Sequence, residues 1–166
     1  MKTSGTKRQR VSLFFGLAIA VVAFDQLTKF WAEANLAGSP IEVIPDLLTF
    51  RLAYNDAAAF SLGVGATWVL TLVSLTASTL MIFYGPRVKT MLWALIAGFA
   101  LGGAFGNLID RALKPPTFFN GHVVDFIQIP FNFPIFNLAD SFLVMAVVLA
   151  IYRTLRGDEI GGGRAK

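Results

Sequence analysis

Met91-Leu-Trp-Ala-Leu-Ile-Ala-Gly98-Phe-Ala-Leu-Gly102-Gly103-Ala-Phe-Gly106-Asn107-Leu-Ile109-Asp110-Arg111 is the stretch on which the fold turns. From Met91 to Ile109 it carries no charge, and a helix of about 20 residues spans the hydrocarbon of a bilayer. Gly98, Gly102 and Gly106 recur at every fourth position with Gly103 beside them. That stripe removes side chains from one helix face, so a neighbouring membrane helix can approach closely. The same helix then presents Asn107 and Arg111 one turn apart, with Asp110 adjacent. They either anchor the helix end among headgroups or project into an outer cavity and bind a substrate backbone. Ionisable groups inside a membrane are costly, and each is a functional-site hypothesis.

The rest of the chain supplies three more such runs. At 166 residues, 55% hydrophobic and 14% charged, with mean hydropathy +0.65, it reads as one integral membrane domain covering residues 1–166. Spans are expected at 11–31, 66–84, 91–109 and 139–156. Tyr84-Gly85-Pro86 closes the second, and Arg153 and Arg156 bound the fourth. Residues 157–166, rich in glycine and charge, are expected to be disordered. Lys2, Lys7, Arg8 and Arg10 before the first run imitate a secretory signal, with Ala32-Glu33-Ala34 as a cleavage site. The helical pattern continues through Asp25-Gln26-Leu27-Thr28-Lys29-Phe30-Trp31, as a retained span with an interfacial aromatic does. The absence of cysteine removes disulfides and thiolate chemistry, and a single histidine rules out zinc sites built on several imidazoles. The net charge of +4 does not point to nucleic acid, because the basic residues flank apolar runs.

Basic residues set the expected orientation. Four precede the first span, Arg87 and Lys89 separate the second and third, and Arg153, Arg156, Arg164 and Lys166 follow the fourth. Both termini are therefore expected in the cytoplasm. The two outer connections are not plain linkers. Leu48 to Asn55 alternates with period two, and His122 to Ile129, after the Asn120-Gly121 turn signal, is β-branched, with Val123, Asp125 and Ile127 on one face. The fold class is thus an all-α membrane core of four transmembrane helices with a small β-platform at the outer face. Phe118, Phe119, Phe126, Phe131, Phe133 and Phe136 crowd the second connection. They make either an interfacial plug or a platform for a lipid-bearing substrate.

Among the polar residues, Asp25 and Lys29 stand one helical turn apart as an ion pair. Asn55 closes the first strand, where a turn cap is the plain reading, and His122 reads as a structural or interfacial residue. Asp125 and Asp140 are the sharpest case. Two carboxylates close together in a poorly hydrated site cannot both ionise comfortably, so the pair shares a proton and works as an acid/base dyad. A bound cation, a proton relay in a small carrier running through Asp25, Asp110, Asp125 and Asp140, or a scaffold whose polar groups cap helices would also place aspartates here.

Taken jointly the motifs resemble those of the lipoprotein signal peptidases, also called type II or prolipoprotein signal peptidases. They are Asp25-Gln26-x-Thr28-Lys29, Asn55-x-x-x-Ala59-Phe60-Ser61, Gly102-Gly103-Ala104-x-Gly106-Asn107-x-Ile109-Asp110-Arg111, Gly121-x-Val123-x-Asp125-Phe126 and Phe136-Asn137-x-Ala139-Asp140. The resemblance implies an aspartic endopeptidase of the bacterial cytoplasmic (inner) membrane, multi-pass and monomeric, with its site near the outer face. It would use neither metal nor other cofactor, and would bind membrane lipid but no nucleic acid. Its substrate would be a diacylglyceryl-modified prolipoprotein, cut on the amino side of the modified cysteine. Asp125 and Asp140 would be the catalytic residues. Asn55, Asn107, Arg111 and Asn137 would bind or orient the substrate, and Asp25, Lys29, Gly103, Asp110 and Ala139 would support the site. The sequence departs from the family at Ala57, where glycine is usual.

Overall fold

In the computed structural model, residues 5–56, 67–160 and 163–164 are described. In chain order they form α1 (Lys7–Asn35), β1 (Ile41–Ile44), β2 (Leu48–Asn55), α2 (Thr67–Tyr84), a 3-10 turn (Gly85–Arg87), α3 (Met91–Leu113), β3 (Val123–Gln128), α4 (Leu138–Leu155), β4 (Asp158–Glu159) and β5 (Gly163–Arg164). Four helices are each long and apolar enough to cross a bilayer.

Helix ends are set by caps rather than by the apolar runs alone. Thr6 and Gln9 form a reciprocal capping box that starts α1 before its uncharged run begins. Thr90 accepts from the Trp93 amide to start α3, and Asn137 with Asp140 forms a second capping box at α4. The third helix also runs past the expected boundary at residue 109, so that Asp110 and Arg111 are helical. At the other end of the chain the expected disorder gives way locally to structure. Asp158 and Glu159 pair antiparallel with Arg164 and Gly163, and Arg153 forms an ion pair with Asp158.

The third helix is the centre of the molecule: α1, α2 and α4 all pack on it, while α2 does not approach α4. Its glycines face two ways. A Cβ at Gly98 would lie 2.9 Å from the Phe14 carbonyl, one at Gly102 2.6 Å from Val21 Cβ, and one at Gly106 2.6 Å from Asp25 Oδ2. Those three meet α1, whereas a Cβ at Gly103 would lie 2.5 Å from the Ala139 carbonyl and 2.7 Å from Leu143 Cγ of α4. Contacts that short require the helices to separate, and overpacking of this kind typically costs about 1–3 kcal/mol. Gly103→Ala is therefore expected to lower the thermal unfolding temperature and, by displacing the start of α4, to reduce activity. An unchanged unfolding temperature would show that the α3–α4 interface yields.

The sheet has the order β1-β2-β3, both pairs antiparallel, with Phe50 opposite Ile127, Ala53 opposite Asp125 and Asn55 opposite Val123. It rests on the end of α1 through Ala32, Leu36 and Phe126, with Phe50, Leu52 and Leu138 packed against them. Val123 to Phe126 are all buried, so β3 is covered on both faces instead of showing one face to solvent.

Candidate active site

Two carboxylates from different elements converge at the start of α4. Asp125 sits mid-strand in β3 and is 2% exposed. Asp140 is the third residue of α4, at the position whose side chain completes the capping box. One side chain joins them. Asn137, fully buried, donates from Nδ2 to Asp125 Oδ1 at 2.7 Å. Its Oδ1 accepts from the Asp140 amide at 3.0 Å, and its own amide donates to Asp140 Oδ2 at 3.1 Å. On the far oxygens, Asn55 Nδ2 donates to Asp125 Oδ2 at 2.9 Å and Asn107 Nδ2 to Asp140 Oδ1 at 2.8 Å. Three of the four asparagine and arginine residues singled out in the sequence thus touch the aspartates directly.

Beneath this layer lies a buried ion cluster. Lys29 Nζ is 2.8 Å from Asp25 Oδ2 and 2.9 Å from Asp110 Oδ2, with all three side chains shielded from solvent. The lysine also donates to Asn107 Oδ1 at 2.9 Å. Each partner then fixes a piece of backbone that carries the dyad. Asp25 Oδ1 accepts from the Ala139 amide at 3.0 Å, holding the first turn of α4. Asp110 Oδ2 accepts from the Val124 amide at 3.1 Å, holding β3 beside Asp125. Lys29 is therefore one bond removed from both strand and helix. Gly106 and Gly103 leave room for Asp25 and for the Ala139 carbonyl, as their absent Cβ positions show.

Gln26 belongs to the same cluster, although it stood in a motif without an assigned role. Its Nε2 lies 3.1 Å from the Gly106 carbonyl and 3.2 Å from both Asp25 Oδ2 and Asp110 Oδ1. An amide between Asp25 and Lys29 in an otherwise apolar span was the signal available for it. Arg111 is half-buried and within electrostatic reach of Asp140, Asp125 and Asp110. Its Nε is buried without a hydrogen-bond partner among the described residues. His122 does not join the dyad. It lines a separate cavity of about 220 Å³ with Glu33, Tyr54, Lys114 and Pro115. Ala57, Ala59, Phe60 and Ser61 of the second motif lie outside the described residues.

Electrostatics separate Asp125 from an ordinary carboxylate. Burial, and then the neighbouring charge of Asp140, push its pKa from 3.8 up to about 7, against the opposing hydrogen bonds from Asn55 and Asn137 and the charge of Lys29. At neutral pH it exchanges a proton readily, which is what an acid/base group needs. Among the described residues no three histidine, cysteine, aspartate or glutamate side chains gather in a way that would hold a metal ion.

Comparison with known proteins follows the same lines. Residues 17–156 match the family model described as signal peptidase (SPase) II. A lipoprotein signal peptidase of Leifsonia xyli is 41% identical over 151 residues, covering 90% of this chain and 70% of that protein. One from Rhodococcus jostii is 43% identical over 157 residues, covering 94% and 79%. A solved structure described as a bacterial membrane enzyme, at 2.3 Å resolution, superposes with a TM-score of 0.77 at 30% identity, covering 86% of this chain and 87% of that one. A second, at 1.9 Å, gives 0.74 at 30% identity over 86% and 92%.

Proposed function

The chain belongs to the signal peptidase II family, and from that premise we propose that it is an aspartic endopeptidase. It removes the signal peptide from diacylglyceryl-modified prolipoproteins, cutting on the amino side of the modified cysteine. The observation that carries the chemistry is Asn137, whose amide bonds Asp125 while its carbonyl and backbone bind Asp140, so that one residue holds both carboxylates. Asp125 carries the shared proton and polarises the scissile carbonyl. Asp140 takes a proton from the attacking water, whose oxygen adds to the carbonyl carbon. When the C–N bond breaks, a proton passes to the leaving nitrogen and the dyad is restored. No covalent enzyme intermediate forms.

Asn55 and Arg111 border the dyad and orient the substrate backbone; the planar fork of Arg111 suits carbonyl oxygens. Since α2 and α4 make no contact, the signal helix enters from the side between them, and the acyl chains lie between helices. Ten of the fourteen basic residues flank the opposite helix ends, which supports cytoplasmic termini and a site near the outer face. The protein then works in a bacterial cytoplasmic membrane, and nothing in its chemistry needs a second copy. A carrier is less well supported, because the ionic network ends at one side of the bundle. Purified protein incubated with a diacylglyceryl-modified preprolipoprotein and its unmodified form tests the reading. Selective cleavage of the modified form is expected, and equal cleavage of both, or of neither, refutes it.

The pH dependence has a definite sign. Asp125 is raised above its unfolded value of 3.8 to about 7, so its proton is present below that pH and lost above it. The catalytic rate is expected to fall as pH rises through about 7. For stability the same shift means that the folded state holds this proton more tightly than the unfolded chain. Asp125 therefore lowers stability progressively between about pH 4 and pH 7 and adds no further change above that. A pH–rate profile flat from 6 to 9 would remove Asp125 from the role of acid.

A further inference from the structure

At the end of the bundle remote from the dyad, a groove of about 490 Å³ opens between the last turns of α2, the 3-10 turn and the first turns of α3. Leu80, Met81, Trp93 and Ile96 line it, with exposed Ile160 of the tail beside them, and Arg87 and Lys89 stand on its rim. Trp93 and Asn107 are both on α3, about 20 Å apart along its axis, so the groove is no part of the catalytic site. Three features point to a ligand. Trp93 is 5% exposed, yet its indole N–H has no hydrogen-bond partner among the described residues. A buried donor left unpaired is costly, and an acceptor supplied from outside would relieve it. Lys89 makes no ion pair among the described residues, and Arg87 spends one N–H on the Phe83 carbonyl at 2.8 Å while stacking on Tyr84. Finally, the only fully buried side chains of α2 are Thr67, Thr71 and Ser78, so little apolar contact ties this helix down.

We propose that the groove binds one anionic phospholipid. Its phosphate lies between Arg87 and Lys89, an ester carbonyl accepts from Trp93 Nε1, and an acyl chain runs along α2 and α3. Basic pockets between membrane helices are suited to such headgroups, and the apolar floor distinguishes a lipid from a free anion, which would reach the rim alone. The bound lipid supplies apolar contact that α2 lacks and ties that helix to α3.

Trp93 offers a direct readout. The chain has three tryptophans, so Trp31→Phe with Trp68→Phe leaves Trp93 as the reporter. Brominated phosphatidylglycerol is expected to quench it at concentrations roughly tenfold lower than brominated phosphatidylcholine, given two cations at the headgroup. Arg87→Gln with Lys89→Gln should erase that preference, and millimolar inorganic phosphate should not compete. Equal quenching by the two lipids, an unaltered preference in the double variant, or full competition by phosphate would each overturn the proposal. If the tryptophan-depleted variant fails to fold, native mass spectrometry of the parent chain decides. One retained phosphatidylglycerol, lost in Arg87→Gln/Lys89→Gln, is expected, and equal retention by parent and variant refutes the site.

Discussion

Asp125→Asn and Asp140→Asn are each expected to slow cleavage about a hundredfold or more while leaving a folded protein in the membrane. Both substitutions keep size and shape and remove the ability to trade a proton. Their effects on stability should differ. At position 125 the change deletes a charge that burial disfavours, which offsets the bond from Asn55 Nδ2 lost when one oxygen becomes an amide, and Asn137 keeps its acceptor, so unfolding temperature should move little. At position 140 the loss is sharper. Asp140 uses both oxygens, one for Asn107 Nδ2 and one for the Asn137 amide, and an amide can accept for only one of them. Asn107 cannot turn its amide over to compensate, since its Oδ1 already accepts from Lys29 and Asn137. A buried donor facing a donor costs about 1–3 kcal/mol. Purified variants assayed for cleavage and thermal unfolding check both parts. Near-normal processing by either variant would dismiss the dyad.

Lys29→Met is expected to be the most damaging single change to the folded state. Methionine fills similar space, so packing is not the issue. The substitution strands Asp25 in a solvent-free cluster and leaves Asp110 only the more distant Lys114, 3.9 Å away. Breaking a buried pair by removing one partner typically costs about 3–5 kcal/mol, a large share of the stability of a domain this size. What folds should also cleave poorly, because Asn107 loses the ammonium that fixes the amide holding Asp140. Adding Asp25→Asn should recover part of the stability, since one stranded charge is removed and the Ala139 amide keeps an acceptor. Detergent-solubilised protein followed by thermal unfolding would show this, and an unfolding temperature for Lys29→Met within a degree or two of the parent would sink the argument.

How much of this was legible follows from the range of each signal. Uncharged runs gave all four helices, because length and polarity are local properties. Their ends were less legible, since Thr6 with Gln9 and Asn137 with Asp140 act through single hydrogen bonds that periodicity does not register. Alternation found β2, and β-branching found β3, but not that β3 is enclosed on both faces, nor that the four-residue β1 completes the sheet. Asp25 and Lys29 were readable as a helical pair; Asp110, their third member, lies on α3 and joins them only in space. The stripe of Gly98, Gly102 and Gly106 does share one face, toward α1, but the spacing did not tell that Gly103 beside it turns toward α4. Asn137 carried no sign of being the residue that touches both aspartates. The family resemblance placed it among the binders, and only folding brings β3 to the start of α4.

The side chains that bond the two aspartates come from β2, α3 and the cap of α4, with α1 and α3 supplying the ion cluster beneath them, and α2 contributes none among the described residues. On the proposed entry path beside α2, the wall that an incoming guest would meet is mechanically separate from the frame proposed to perform the reaction. Sequence drift in α2 can widen or narrow the range of admitted guests without retuning reactivity, so selectivity and turnover are free to evolve on different helices.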